Sequence, residues 1–217
     1  MMFVCFSGFV KFIDYEYSGC NYQAYDIGNH FTEFAENLPP FERRGLILMF
    51  GIQYVTYSPL LTRFQREVPS FDIIASEIEA LKKQLSEIKS PAVLCHNDLL
   101  CKNIIYNKAK GFVKFIDYEY SGCNYQAYDI GNHFTEFAGV SDVNYKLYPS
   151  QELQRDWLAT YLETYKQCNS MEPTVTDLEV NKLYVQVCKY ALVSHFSWGL
   201  WALLQSRYST IDFDFLR

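Results

Sequence analysis

Residues 95–106 read CHNDLLCKNIIY, and the run just before them, AVL at 92–94, is apolar. An apolar stretch of that length, opening into His96, Asn97 and Asp98, reads as a buried strand that empties into a polar loop. Asn103 follows Asp98 by five residues, and Asp117, in IDYEY (116–120), follows Asn103 by fourteen. Between them, NIIYN (103–107) and FVKFID (112–117) flank KAKG, where Gly111 can take a positive backbone angle, so the pair reads as a hairpin. The loop therefore leads straight into two strands whose ends carry Asn103 and Asp117.

Phosphoryl transfer explains why these residue types should stand at this spacing. A carboxylate on a strand-to-loop turn can orient an acceptor hydroxyl and take its proton, the role expected of Asp98. An amide oxygen and a second carboxylate can hold a magnesium ion that bridges nucleotide phosphates, which suits Asn103 and Asp117. The pattern is that of H-x-D-x-x-x-x-N followed by a metal-binding aspartate. His96 itself reads as a buried histidine bonding a backbone carbonyl rather than as a proton carrier. Asp129, in YDIGNH, reads as a cap of a helix beginning near Gly131 or as a brace of the loop, in preference to a metal ligand. Glu119 falls two residues from Asp117, on the same face if the strand continues.

Helical patterns lie on either side. In SFDIIASEIEALKKQLSEI (70–88), Ile74, Ile78, Leu81, Leu85 and Ile88 recur at three- and four-residue steps opposite a charged, solvated face. QELQRDWLATYLETYKQ (151–167) places Leu153, Trp157, Leu158, Tyr161, Leu162 and Tyr165 on one core stripe. Thr176 and Glu179 form a capping box that opens a helix running toward Gln205, with Gly199 as a point where it can bend. Trp198 and Trp201, three apart on that helix, read on spacing alone as core rings.

Composition narrows the function classes. Hydrophobic residues are 49% and charged residues 20% of 217, which is globular rather than disordered. Eighteen Tyr, seventeen Phe and three Trp suggest large ring contacts and a ring-lined pocket. A net charge of -6 with basic residues only in pairs argues against nucleic acid. Seven cysteines, an odd number with no C-x-x-C, read as free thiols in a reducing cytoplasm. Neither the apolar start nor ALVSHFSWGLWALL (191–204) has the form of a signal peptide or a transmembrane span.

From about residue 68 onward the chain resembles the choline/ethanolamine kinase family, through CHNDLLCKNIIY, FIDYEYSGCNYQAYDIGNHFTEFAG and SHFSWGLWALLQ. The resemblance implies an α+β, protein-kinase-like fold, mostly the helical carboxyl-terminal lobe with its catalytic-loop hairpin. It implies transfer of the γ-phosphoryl group of ATP, with Mg2+, to the hydroxyl of a small amino alcohol. Asp98 then becomes the base, and Asn103 and Asp117 the magnesium ligands. Tyr120, Glu136, Trp198 and Trp201 become candidates for the substrate ammonium, chemically reasonable because rings and a carboxylate attract a cation. Leu100, where the family's choline kinases usually carry glutamine, and AGVSDVNYKLYP (138–149) resemble the ethanolamine branch. Choline phosphorylation and a non-catalytic binding role are the alternatives, and a homodimer is compatible with the resemblance.

One feature is foreign to that pattern: residues 8–35 repeat residues 111–138 letter for letter. Asp14 in the first copy has no H-x-D loop before it, so residues 1–35 are expected to be a non-native or artefactual duplicate rather than a second site. Residues 36–67 form a lead-in, apolar without a clean period, and 68–217 the kinase-like lobe. The family's amino-terminal lobe supplies a glycine-rich loop and a strand lysine. No lysine stands between Lys11 and Lys82, and Gly19, Gly28, Gly45 and Gly51 form no such loop. The expectation is a chain lacking that lobe, shortened at its carboxyl end and inactive as written.

Overall fold

A computed structural model describes residues 69–140 and 142–215, without the side chains of Arg207 and Tyr208. The readings of 1–35 and 36–67 lie outside the described residues. The described chain falls into two units, Ser90–Ser194 and the combination of 69–89 with 195–215.

The first unit carries the quoted stretch. β1 (Ala92–Cys95) pairs antiparallel with β4 (Gly122–Tyr125), Leu94 opposite Cys123. β2 (Ile104–Asn107) and β3 (Phe112–Phe115) form the expected hairpin, Ile105 opposite Lys114. Its turn closes through Gly111, at φ +65°, whose N–H donates to the Asn107 carbonyl at 2.8 Å. Two sequence expectations need correction. β1 is not buried along its length: Ala92 and Leu94 are exposed and Cys95 is buried, because a two-stranded piece covers only one face. The strand before Asp117 also stops at Phe115, and Asp117 itself has φ +62°, so strand alternation does not relate Glu119 to Asp117.

α2 (Gln126–Glu136) follows β4 directly and begins five residues before Gly131. It is the centre of this unit, with Ala127, Tyr128, Ile130 and Phe134 buried. Gly131 is needed for packing: a Cβ there would lie 2.9 Å from the Ala191 nitrogen and from the Val187 oxygen of α4 (Asp177–Tyr208). α3 (Gln151–Cys168) has Ser150 as its cap, the hydroxyl accepting the Leu153 N–H at 3.2 Å. Leu158 fills the core and Trp157 meets Phe134 edge to face, but Leu153 and Tyr165 are exposed and Gln154 is buried. The buried stripe of α3 is thus narrower than its sequence pattern. α4 opens with the expected capping box: the Thr176 N–H donates to the Glu179 carboxylate at 2.8 Å and the Glu179 N–H to the Thr176 hydroxyl at 3.3 Å.

In the second unit, α1 (Phe71–Ser86) is capped by Ser70. Ile74 and Ile78 pack with Leu200, joined by Phe71, Phe196 and Leu203. Leu85 is buried too, while Ile88 falls beyond the helix end. No helix among the described residues is long and apolar enough to cross a membrane.

Candidate active site

The loop after β1 is held by backbone bonds before any side chain acts. Asp129, in the first turn of α2, accepts the N–H of His96 at 3.0 Å on one carboxylate oxygen and that of Asn97 at 2.7 Å on the other. Asp129 is thereby a brace of the loop, and because α2 begins at Gln126 it lies within the helix rather than at its cap. The His96 ring works in the same sense. Its Nδ1 accepts the N–H of Asp98 at 3.3 Å, which leaves Nε2 as the protonated nitrogen that donates to the Ile116 carbonyl at 2.9 Å. One buried ring therefore joins the backbone of Asp98 to the residue before Asp117.

Asn103 completes this join. Its Nδ2 donates to the Asp98 carbonyl at 2.8 Å and to the Asp98 carboxylate at 3.3 Å, while its own carbonyl accepts the Ile116 N–H at 3.0 Å. The amide orientation is fixed by those acceptors, so Oδ1 is the atom left for a cation. Burial raises the Asp98 pKa above the ordinary carboxylate value and the nearby Asp117 adds to the rise, against the opposing pull of His96 and the Asn103 hydrogen bond. Asp117 is exposed. No group of three or more His, Cys, Asp or Glu among the described residues could hold a metal by itself. One carboxylate with one amide oxygen nevertheless fits magnesium, which commonly takes only one or two protein carboxylates and completes its shell from substrate phosphates and water.

Glu136 closes α2 beside this cluster. Burial, with a contribution from Asp98, pushes its pKa up to about 7. Tyr120 is half-buried, and its carbonyl accepts the Asn97 side-chain amide at 2.8 Å. The structure thus brings Asp98, Asn103, Asp117, His96, Asp129, Tyr120 and Glu136 into one unit. Trp198 and Trp201 belong to the other unit, where their rings meet edge to face at 5.4 Å and Trp201 meets Phe215 at 5.6 Å.

Sequence reading missed Asn97, Asn124, Asn132 and His133. Asn124 donates to the Asn97 side-chain oxygen at 2.8 Å, and Asn132 to the Asn97 carbonyl at 3.1 Å. His133 donates through Nδ1 to the Leu99 carbonyl at 2.7 Å, and its burial holds the ring below its usual pKa, hence neutral. For Asn132 and His133 a signal existed: with Asp129 and Glu136 they fall at helical spacing on one face of α2.

The sequence profile described as "Choline/ethanolamine kinase" matches residues 7–44 and 53–217. Ethanolamine kinase 1 of Mus musculus is 62% identical over 154 residues, 71% of this chain and 42% of its own length. Ethanolamine kinase 2 of Homo sapiens is 60% identical over 151 residues, 70% of this chain and 38% of its own length. The chain therefore spans about two fifths of the length of these curated relatives. Among solved structures, an ethanolamine kinase from Plasmodium vivax superposes with a TM-score of 0.68 at 30% identity, covering 82% of this chain and 45% of that one.

Proposed function

The chain belongs to the choline/ethanolamine kinase family and has its protein-kinase-like fold, and from that premise we propose that its first unit carries the catalytic residues of an ethanolamine kinase. The observation that carries this reading is the Asp98 carboxylate bonded by the Asn103 amide, with Asp117 close enough to repel it. The reaction moves the γ-phosphoryl group of ATP to the ethanolamine hydroxyl: an O–P bond forms to that oxygen, the bond to the bridging oxygen breaks, and ADP leaves. Asp98 orients the hydroxyl and takes its proton. Asn103 Oδ1 and the Asp117 carboxylate would hold magnesium, which when bound neutralises charge on the phosphates.

Glu136 and Tyr120 take the ammonium end of the substrate, the carboxylate supplying charge and the ring its negative face. Trp198 and Trp201 are proposed as substrate-binding residues on sequence resemblance alone. Relatives named ethanolamine kinases, at 57–62% identity, favour ethanolamine over choline. Cys95, Cys101, Cys123, Cys168 and Cys188 are all free thiols, which supports a cytoplasmic location.

The test is transfer of labelled phosphate from Mg-ATP to ethanolamine. It is measured for this chain and for a hybrid in which residues 95–138 replace the matching stretch of the Mus musculus relative. Hybrid turnover that falls at least a thousandfold on Asp98→Asn is the expected result. A folded hybrid that phosphorylates nothing, or one indifferent to Asp98→Asn, refutes the assignment.

A further inference from the structure

Asn97 sits between the two loop residues already described and is bonded at every polar atom. Its N–H donates to Asp129 at 2.7 Å, and its carbonyl accepts from Asn132 at 3.1 Å. Its side-chain oxygen accepts from Asn124 and its Nδ2 donates to the Tyr120 carbonyl, both at 2.8 Å. Beyond these, Asn132 receives the Ser194 hydroxyl of α4, and Asn124 accepts the Tyr125 N–H at 2.8 Å. Asn97, Asn124, Asn132 and Ser194 are each at most 2% exposed. A buried amide without partners would be costly, so such a chain holds one arrangement only when it is complete.

The backbone adds a second observation. Asn97 has φ +67° and Asp117 has φ +62°, both in the left-handed region that non-glycine residues rarely adopt. One stands directly before Asp98. The other stands three residues before Tyr120, whose carbonyl the Asn97 amide holds. Such conformations persist where surrounding bonds over-determine them.

We propose that Asn97 is a positioning residue, whose side-chain amide locks the Asp98 loop to the Asp117–Tyr120 turn and so sets the separation of the two carboxylates used in phosphoryl transfer. The inference rests on the kinase reading only for what that separation is used for. The mechanical coupling stands on the hydrogen bonds alone. Removal of the amide leaves the Tyr120 carbonyl without this donor and loosens the turn at its Tyr120 end, while Ile116 stays tied to the loop through His96 and Asn103.

The test uses the full chain and three variants. Asn97→Gly keeps the positive φ and removes the amide; Asn97→Asp keeps the acceptor for Asn124 and removes the donor to Tyr120; Ser194→Ala perturbs the far end of the same network. Hydrogen exchange of residues 116–121 is expected to speed up at least tenfold in Asn97→Gly and in Asn97→Asp. Helix amides at 127–134 should keep wild-type protection in both, and Ser194→Ala should leave 116–121 unchanged. Wild-type exchange at 116–121 in Asn97→Gly, or loss of protection only together with α2, overturns the proposal. A parallel titration with Mn2+ alone, followed by electron paramagnetic resonance, separates the two readings. Tenfold weaker binding in Asn97→Gly supports positioning of the metal ligands, and equal affinity removes it. Wild-type protein that binds no Mn2+ counts against the magnesium assignment, while the exchange result still decides the coupling.

Discussion

Glu136→Gln should make the protein more stable at pH 8 and leave it nearly unchanged at pH 4.5. Glu136 has a pKa raised from 4.5 to about 7, first by burial and then by Asp98. It also closes α2, where the negative end of the helix dipole further disfavours an anion. Below pH 4.5 the carboxyl is neutral in folded and unfolded chains alike, and it costs nothing. Between pH 4.5 and 7 the unfolded chain loses its proton while the folded one keeps it, so stability falls as pH rises. Above 7 the folded chain holds the full charge, and the penalty for a rise from 4.5 to about 7 is on the order of 3 kcal/mol.

Residual solvent contact at Glu136, which is only half-buried, reduces this to about 2 kcal/mol. Glutamine keeps the shape and removes the charge. The variant should therefore melt about 4–8 °C above wild type at pH 8, followed by near-ultraviolet circular dichroism across the pH range. If Glu136 holds the substrate ammonium as proposed, ethanolamine should recover part of the wild-type deficit at pH 8 and do nothing for the variant. A melting shift that is equal at pH 4.5 and pH 8, or a loss of stability at pH 8, would refute the reasoning.

Two further outcomes test the frame around the site. Gly131→Ala places a Cβ 2.9 Å from backbone atoms of Val187 and Ala191, which cannot swing aside as a side chain would; a loss of about 2 kcal/mol is expected in denaturant unfolding. Ser150→Ala removes the hydroxyl that accepts the Leu153 N–H and should cost about 1 kcal/mol by the same measurement, with no effect on the exchange of 116–121.

The legible parts of this chain were those in which one local rule decides the outcome. Gly111 had a turn to fill, Thr176 and Glu179 had a cap to close, and Ile74 and Ile78 had a helical period to follow. β4 was not legible because GCNY is four residues long and becomes a strand only through β1, a distant stretch of sequence in which Cys95 faces Gly122 and Ala92 faces Tyr125. The exposure of Leu153 was hidden for a related reason: periodicity marks an apolar face without saying how wide the neighbouring surface is. In the site, the approach of Asp98, Asn103 and Asp117 to one another was readable because a strand-to-loop turn that feeds a hairpin brings those positions together. Asn97 and Asn124 were not, since an asparagine outside a helical pattern shows whether it is buried and bonded only after its partners have been brought in from other elements.

Asp117 makes the functional argument from the side of cost. Its backbone stands at φ +62°, where a non-glycine residue loses roughly 1–2 kcal/mol. Its carboxylate is exposed and raises the proton affinity of Asp98 by repulsion, an unfavourable contact for the fold. Glycine at this position would relieve both effects. Asn97 shares the strained backbone but gains four hydrogen bonds, three of them buried, whereas the Asp117 side chain makes none among the described residues. On the proposed reading, a residue that the fold strains and leaves exposed beside another carboxylate has a purpose: with Asn103 it would hold a divalent cation, whose charge would offset the repulsion between Asp117 and Asp98. The same logic covers Glu136, whose charge destabilises the fold and, on the proposed reading, would be matched by the substrate ammonium.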